Sequence, residues 1–278
     1  MSNISPKTVE GFGREWARFD QSDASRQELE RIWRDYFHIF PWNSFPGRSE
    51  GFDLGCGSGR WAKFVAPRVQ KLHCIDASRE ALEVARRNLA GLSNCVFHQA
   101  SVDEIPLVDG SMDFGYSLGV LHHLPDTAAG MRACVAKLKP GAPFLVYLYY
   151  KFDNQPVWFR MLWHASDAVR RIVSNSPYFL RDRIAEIIAA AVYLPLARLA
   201  RIAERVGMNV AALPLAAYRE RSFYSMRTDS LDRFGTRLER RFTKNEIWKM
   251  MENCGLERIE FSDRIFWGAI GYKASKSR

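Results

Sequence analysis

Short apolar runs alternate with helical patterns between residues 50 and 150. Continuous apolar runs are typical of buried strands, and apolar residues that recur every three or four positions are typical of helix faces. The pattern predicts five strands, at residues 51–54, 71–76, 95–100, 112–119 and 143–150. It also predicts helices at residues 61–66, 78–89 and 125–138. Strands that alternate with helices favour right-handed crossovers and therefore a parallel sheet.

The alternation stops after Tyr150 and resumes at Thr243. Thr243 and Glu246 form a capping box that begins a helix, and this helix is predicted to end at Gly255. Residues 256–261 and 265–272 follow as two closely spaced strands, which favours an antiparallel hairpin at the edge of the sheet. The predicted fold is therefore α/β, with a mostly parallel sheet and an antiparallel last strand.

The segment in between, residues 151–241, has no strand pattern and contains two helical stretches. The first carries an amphipathic stripe with spacings of four and three, formed by Trp158, Leu162, Ala165, Val169 and Ile172. The second runs from residue 181 to residue 206, with a kink predicted at Pro195. Arg198 and Arg201 interrupt its apolar run, so it does not resemble a membrane-spanning helix.

A chain of 278 residues is long enough for one core domain that carries an insertion. We predict an N-terminal helical part at residues 1–45 and a sheet core at residues 46–150. A helical insertion at residues 151–241 would follow, and residues 242–278 would complete the core.

The formal net charge of +9 is unevenly distributed. Residues 151–240 contain 15 Lys and Arg against 9 Asp and Glu, and all of these cations except Lys151 are arginines. A solvated helical surface explains such a surplus. An acidic partner, or a weak association of the basic insertion with an anionic membrane surface, is the alternative.

The five cysteines lie at scattered positions, without a C-x-x-C pair. Scattered thiols in odd number favour a reducing compartment over a disulfide framework, and they argue against a zinc site or another metal site. The first twenty residues lack the apolar core of a signal peptide. We therefore expect a cytoplasmic protein.

A glycine loop, Asp53-Leu-Gly-Cys-Gly-Ser-Gly59, lies between the first predicted strand and the first predicted helix. Gly55 permits a tight turn, and Gly57 allows a ligand to approach the backbone closely. The G-x-G-x-x-G fingerprint of dinucleotide enzymes requires a glycine where this chain has Arg60. The loop therefore favours a ligand with a carboxylate and an amine over a bridging pyrophosphate, which argues against a nicotinamide oxidoreductase.

Asp76 ends the second predicted strand, about twenty residues after the loop, where an acidic side chain can accept both hydroxyls of a ribose. The alternative is that Asp76 only caps the helix that begins near residue 78. Because strand, loop and acid occur in the order that a nucleoside site needs, we favour the ribose role.

With these residues the chain resembles the class I S-adenosylmethionine-dependent methyltransferases, a Rossmann-like superfamily. It is similar in particular to the small-molecule branch that includes the ubiquinone and menaquinone C-methyltransferases. The matching pieces are residues 53–59, Asp76, residues 105–106 before 109–113, and residues 121–124. The likeness covers residues 50–150 and resumes over residues 243–272.

The resemblance implies S-adenosyl-L-methionine as cofactor. Gly55 and Gly57 would contact its methionine part, and Asp53 would hold the ammonium. Asp76, with Ala77 beside it, would take the ribose. Ser101 and Val102 would lie beside the adenine, although relatives usually have Asp-Ala there and Ser101 offers no charge. Ser117 and Leu118 would lie near the sulfonium.

The leader contains Phe12, Arg14 and Trp16. In similar enzymes such leaders often fold over the donor as a lid, which makes Arg14 and Trp16 candidate cofactor contacts, and an aromatic ring stabilises a sulfonium by cation–π attraction. A helix that simply packs on the sheet is the alternative.

Candidate catalytic residues follow the fourth and fifth predicted strands: His122, His123 and Tyr147. Each histidine is a candidate general base, with a structural role as the alternative. Tyr147 is a candidate lining residue of the acceptor pocket, with a place in the core as the alternative. Aromatic residues at the two ends of the insertion suggest a cap over the acceptor, or else a small core of the insertion itself: Trp158, Phe159, Trp163, His164, Tyr218, Phe223 and Tyr224. Arg219, Arg221 and Arg227 are candidates to pair with an acidic acceptor.

The function predicted from the sequence is methyl transfer to a small, apolar or aromatic molecule. An RNA or protein methyltransferase, or a donor-binding protein without turnover, is the alternative. We find no Asp-Pro-Pro-Tyr motif and no Pro-Cys nucleophile, so no nucleic-acid partner is expected. The acceptor atom and the oligomeric state stay open.

Overall fold

The computed structural model describes residues 2–45, 48–153, 155–210, 213–264 and 267–275. The chain forms two compact units. The first, which we call the sheet unit, consists of Met1–Gln21, Leu29–Lys151 and Leu238–Arg278. The second, the helical unit, consists of Ser22–Glu28 and Phe152–Arg237.

Seven strands form one sheet: β1 (Glu50–Leu54), β2 (Lys71–Asp76), β3 (Cys95–Gln99), β4 (Phe114–Leu118), β5 (Pro143–Tyr147), β6 (Leu256–Phe261) and β7 (Gly268–Lys273). Their order is β3-β2-β1-β4-β5-β7-β6. The first five strands are parallel, whereas β7 is antiparallel to both β5 and β6. The predicted mostly parallel sheet with an antiparallel last strand is confirmed. The predicted antiparallel hairpin at the edge of the sheet is confirmed as well, with β7 next to β5 and β6 outermost.

The fourth and fifth strands are shorter than predicted. Met112 makes only an isolated bridge to Leu138, and Tyr150 makes one to Phe242. The backbone N–H of Phe242 donates to the carbonyl of Tyr149 at 2.9 Å. The residues just after β5 therefore pair with the segment around Phe242 and not with a strand of the sheet. Residues 265 and 266 of the predicted last strand lie outside the described residues.

Ten α-helices occur in the described residues: α1 (Pro6–Arg18), α2 (Arg26–Phe37), α3 (Ala62–Val65), α4 (Arg79–Asn88), α5 (Thr127–Lys137), α6 (Val157–Ser174), α7 (Tyr178–Ile188), α8 (Leu194–Arg205), α9 (Phe223–Gly235) and α10 (Lys244–Asn253). The predicted capping box is present, since Thr243 accepts from the Glu246 N–H and Glu246 accepts from the Thr243 N–H. Helix α3 is a single turn, shorter than the predicted helix at 61–66. Pro67 lies in the 3₁₀ turn that follows and cannot continue the α-helical hydrogen bonds.

The core of the sheet unit surrounds the central strands. Phe52, Phe144 and Leu121 have no exposed surface, and Met131 of α5 and Met251 of α10 pack in the same cluster. The close packing around the central strands fixes the positions of the loops at the carboxyl ends of these strands.

In the helical unit, α9 packs against α6 and α7. The predicted helix at 181–206 consists of α7, a π-helical stretch (Ala189–Tyr193) and α8, and Pro195 lies in the first turn of α8. A small apolar cluster contains Val173, Tyr193 and Met226. Within the described ranges, no helix combines the length and the apolar character that crossing a bilayer requires.

Candidate donor and acceptor site

The loops that follow β1, β2, β3 and β4 lie at one edge of the sheet, because the carboxyl ends of parallel strands share an edge. The chain order reverses between β1 and β4, which are neighbours in the sheet. In open α/β sheets, ligands bind in the crevice outside such a reversal. Apart from Arg14 and Trp16 in the leader, the predicted donor-binding residues lie at or just after the ends of these four strands.

The glycine loop is held against β2. The N–H groups of Gly55 and Cys56 both donate to the carbonyl of Ile75, at 2.7 and 3.1 Å. Gly55 has φ +75°, and a Cβ there would lie 2.3 Å from Cγ2 of Val120. The turn therefore requires glycine for its backbone conformation and for its closeness to the segment after β4.

Asp76 connects the ends of β1 and β2. Its carboxylate accepts from the Gly57 N–H and from the Ser78 N–H, each at 2.9 Å. Desolvation raises the pKa of Asp76, and backbone hydrogen bonds from Ser78, Gly57 and Ala77 act against this rise. Each carboxylate oxygen can accept more than one hydrogen bond, so Asp76 retains acceptor capacity. Ser78, not Asp76, is the N-cap of α4, because its Oγ accepts from the Ala81 N–H.

Asp53 lies at the end of β1 and is 2% exposed. Its Oδ2 atom is buried and has no hydrogen-bond partner in the described part of the chain. Desolvation, together with the nearby charge of Asp76, raises the pKa of Asp53 to about 8, although the Tyr116 hydroxyl lowers it. An ammonium group beside this carboxyl would compensate its burial. The chemistry of Asp53 therefore fits the amino end of a methionine moiety.

The other predicted donor contacts lie on the same edge. Ser101 precedes a 3₁₀ turn, and Val102 begins that turn and is buried. Ser117 is fully buried, and its hydroxyl donates to the carbonyl of Leu54 at 3.0 Å. This bond ties β4 to the end of β1, so the Ser117 side chain is used inside the sheet. Leu118 ends β4 and is 8% exposed.

The N-terminal segment crosses this edge of the sheet. A Cβ on Gly57 would lie 2.8 Å from the indole nitrogen of Trp16, so the ring of α1 rests on the glycine loop. The Arg60 guanidinium lies 5.0 Å from the centre of the same ring. Further along, the Asn3 side chain donates to the carbonyl of Asp126 and accepts from its N–H, both at 2.7 Å. The segment is thus anchored at both ends beside the candidate donor residues.

Arg14 is placed differently from Trp16. Its guanidinium lies 2.7 Å from Glu10 on the same helix, and its side chain is 56% exposed. Trp16 therefore has the stronger structural support of the two leader residues as a donor contact.

The two histidines follow β4 and are buried beside Tyr149. The His122 ring centre lies 3.8 Å from that of Tyr149 and 4.0 Å from that of His123. Nδ1 of His123 lies 2.6 Å from the carbonyl oxygen of Leu238, and a carbonyl only accepts. Nδ1 therefore carries the proton in neutral His123, which leaves a lone pair on Nε2. This Nε2 is buried and has no partner within the described ranges.

Aromatic rings extend this cluster. Tyr147 lies 5.8 Å from Tyr149 and 5.2 Å from Tyr36 of α2, measured between ring centres. The Phe12 ring of α1 lies 4.9 Å from His123. We did not predict Tyr36 or the Leu238 carbonyl as part of this site, since both lie far along the chain and carry no local signal. The site residues from four distant parts of the chain form one aromatic cluster at the end of β4 and β5.

His122 makes the stability of the fold sensitive to acid. It is fully buried, neither ring nitrogen has a hydrogen-bond partner among the described residues, and desolvation holds its pKa well below the usual range. The unfolded chain binds a proton below about pH 6.5, whereas the folded chain does not. His122 therefore leaves the free energy of unfolding unchanged above this pH. On acidification below it, this free energy decreases by up to about 1.4 kcal/mol per pH unit.

We expect His122→Phe, which retains a ring beside Tyr149, to weaken this pH dependence. Urea unfolding of both proteins between about pH 8 and pH 5 measures the effect as a difference in slope. His164→Gln, at an exposed histidine, is the matched control. Identical slopes for His122→Phe and the unchanged chain would contradict the assignment.

The predicted acceptor-binding side chains of the helical unit have partners within that unit. Arg219 pairs with Glu204 at 2.7 Å, Arg221 with Asp229 at 2.9 Å and Arg227 with Glu186 at 2.6 Å. Ring contacts link Phe159 to Phe152, Trp158 to Phe159, Trp163 to His164 and Tyr218 to Tyr193. These contacts support the alternative that the side chains build the insertion itself. Among the described residues, there is no cluster of three or more His, Cys, Asp or Glu side chains that could hold a metal ion.

Comparisons with known proteins identify the family. A family model described as "Methyltransferase domain" matches residues 52–141. The ubiquinone biosynthesis O-methyltransferase of Sodalis glossinidius (strain morsitans) is 31% identical over 184 residues, which cover 62% of this chain and 70% of the relative. The enzyme of the same name from Xanthomonas oryzae pv. oryzae (strain PXO99A) is 27% identical over 179 residues. These cover 58% of this chain and 73% of that relative.

The fold has a counterpart among solved structures. A chain in the complex between the Trm112 methyltransferase activator of Haloferax volcanii and a methyltransferase superposes with a TM-score of 0.56. The match covers 98% of this chain and 99% of that chain at 13% identity, a likeness of fold alone. The methyl donor of this protein is S-adenosylmethionine, since the matched family uses it and Asp53 and Asp76 fit it. The chain belongs to the class I S-adenosylmethionine-dependent methyltransferases.

Proposed function

We propose that this methyltransferase transfers the methyl group to a hydroxyl oxygen of a small aromatic molecule, with His123 as general base. The observation that carries the proposal is the hydrogen bond between Nδ1 of His123 and the Leu238 carbonyl, which leaves Nε2 able to accept a proton. A phenolic hydroxyl has to lose its proton when it attacks a methyl group, whereas an already nucleophilic amine needs less help. The names of the two relatives, both O-methyltransferases, support oxygen as the acceptor atom.

The aromatic cluster supports the class of acceptor. The rings of Tyr149 and Phe12 lie beside His123, and Tyr147 and Tyr36 continue the cluster from Tyr149. Rings of this kind pack well against a planar aromatic molecule in offset or edge-to-face geometry. These rings favour an aromatic acceptor that carries one or two hydroxyls.

The residues divide the work of the reaction. When bound, S-adenosylmethionine supplies a methyl group that is already activated by its sulfonium. Asp53 and the glycine loop would hold the amino-acid end, and Asp76 would hold the ribose. Alignment of donor and acceptor by such contacts is worth as much as about 7–11 kcal/mol of the barrier in favourable cases. His123 would take the hydroxyl proton on Nε2, and the Leu238 carbonyl would stabilise the imidazolium that forms.

His122 would assist by staying neutral. Desolvation lowers its pKa well below the usual range, so it adds no positive charge beside His123. A second charge at a ring distance of 4.0 Å would disfavour protonation of His123. A neutral His122 therefore leaves His123 able to accept the proton of the acceptor.

A matched set of acceptors tests the proposal. We expect the purified full chain to form S-adenosylhomocysteine with alkyl-substituted catechols and phenols, and to form much less with the corresponding aniline or with the fully O-methylated compound. Chromatography of the products identifies the methylated atom. Turnover with the aniline but not with the phenol, or with RNA only, would contradict the proposed acceptor.

A further inference from the structure

The exposed hydrophobic side chains are concentrated in one part of the chain. Seventeen of the twenty large hydrophobic side chains that are exposed in the described residues lie between Val157 and Phe223. The sheet unit contributes only Val96, Val108 and Trp248 to this set. Single exposed hydrophobic residues are normal on any protein, whereas a concentration of this kind marks an interaction surface.

Helix α6 carries its apolar stripe on the outside. The predicted amphipathic stripe is present, but its large residues are exposed: Trp158 by 49%, Leu162 by 51%, Val169 by 45% and Ile172 by 73%. At about 100° per residue, the outward arc contains apolar residues only: Val157, Trp158, Met161, Leu162, Ala165, Ala168, Val169 and Ile172. In a water-soluble helical domain such a stripe would face the interior.

The inward side of α6 is held by polar contacts. Nε of Arg170 lies 2.7 Å from Asp167, and the same guanidinium donates to the carbonyl of Thr236 at 3.0 Å. The Arg181 guanidinium of α7 donates to the carbonyl of Gly235, also at 3.0 Å. Because Arg170 and Asp167 are buried and paired, a rotation of α6 that hides the apolar stripe would cost these buried contacts. The outward orientation of the stripe is therefore built into the unit.

Helices α7 and α8 add further exposed apolar residues. Phe179 and Ile187 on α7 are exposed by 73% and 64%, and Leu199 and Ile202 on α8 by 61% and 58%. Val206, just beyond α8, is exposed by 71%. Two separate helical segments of the same unit thus present apolar side chains to the outside.

Arginines accompany the apolar residues. Arg160, His164 and Arg171 are exposed and lie along one margin of the α6 stripe, and Arg171 also pairs with Asp167 at 3.0 Å. Arg183 on α7 and Arg205 on α8 are exposed as well. A helix that lies in the surface of a bilayer buries its apolar face below the headgroups, and long cationic side chains at its margin reach the phosphates. The polar side chains of the exposed side are confined to this margin, whereas interfaces between proteins usually distribute hydrogen bonds over the contact.

We propose that the helical unit docks on an anionic lipid surface through the exposed apolar residues of α6, α7 and α8. The apolar arc supplies the area that leaves water, and the exposed arginines supply the preference for anionic headgroups. This proposal is independent of the acceptor and of the general base, because it concerns only the helical unit.

Flotation of the full chain with lipid vesicles tests the proposal. We expect binding to vesicles of phosphatidylcholine mixed with phosphatidylglycerol, and at least about tenfold weaker binding to phosphatidylcholine alone or at high salt. Ile172→Glu and Ile202→Glu should each weaken binding by about tenfold or more, since each places a charge on the proposed lipid face. Val108→Glu is the matched control, because Val108 is 76% exposed in the sheet unit.

Each other outcome overturns the proposal. Equal binding to both kinds of vesicle would contradict the role of the arginines in selecting anionic lipid. Absence of binding to either kind would contradict docking on a lipid surface. If the chain instead forms dimers in sedimentation experiments and Ile172→Glu dissociates them, the occupant of the face is a second copy. Circular dichroism of the variants, and flotation of the unchanged chain, keep a folding defect from being taken for a loss of docking.

Discussion

Replacing Asp76 with alanine is expected to weaken the binding of S-adenosylhomocysteine by about a hundredfold or more. Charge-assisted hydrogen bonds are worth about 1.5–3 kcal/mol each, and the substitution removes the acceptor of two ribose hydroxyls. It also removes the carboxylate that accepts from the N–H of Gly57 at 2.9 Å, so the glycine loop loses one of its links to β2. Isothermal titration calorimetry with S-adenosylhomocysteine measures the loss directly.

Two companion variants define what the loss means. Asp76→Asn retains one carbonyl-type acceptor but no charge, and we expect an affinity between those of the alanine variant and the unchanged chain. Asp109→Ala removes an exposed carboxylate that pairs with Lys137 in the same unit, and its affinity should stay unchanged. Thermal unfolding shows whether each variant remains folded. An alanine variant that is folded and binds with normal affinity would disprove the ribose role of Asp76.

Replacing His123 with alanine is expected to lower kcat for a phenolic acceptor by about 10²–10⁴-fold, the range that a positioned general base contributes. The affinity for S-adenosylhomocysteine should change little, because the predicted donor contacts lie on the glycine loop and on Asp76. The effect should shrink as the pH approaches about 10, where a phenol ionises without a base. Initial rates across this pH range, with product detection by mass spectrometry, test both parts of the expectation.

A control separates loss of the base from loss of any histidine. His38→Gln removes a ring that contacts Asp263 and the Asp35 carbonyl, and it should leave the rate nearly unchanged. If His123→Ala retained the full rate with the phenol at neutral pH, His123 would be a structural residue only. The choice of oxygen as the acceptor atom would then rest on the names of the relatives alone.

The sheet and the donor loop could be predicted from local sequence patterns, and the structure explains why. The central strands β4 and β5 are buried on both faces, so they stand out as short, mainly apolar runs. Gly55 and Asp76 lie directly at strand ends, where a turn residue and an acid stand out. The end of β5 could not be predicted, because apolar and aromatic residues continue beyond Tyr147, where the strand ends.

The acceptor side depends on contacts that leave no local signal. The carbonyl that orients His123 belongs to Leu238, and any residue type there would offer the same carbonyl. Tyr36 reaches Tyr147 from α2, although its own surroundings in the sequence resemble those of any amphipathic helix. Periodicity likewise identified the stripe of α6 but not the side that faces water, since buried arginine contacts decide its direction.

The late position of β7 in the chain has a consequence for biosynthesis. β5 is buried along its whole length, and β7 covers one of its two sides. During synthesis from the N-terminus, residues 148–267 emerge before β7 does, so β5 waits as an open apolar edge while the helical unit is made. Open edges of this kind pair readily with other chains. A nascent chain of this protein should therefore depend on chaperones until its last strand has been synthesised, and a chain cut before Gly268 should aggregate instead of folding.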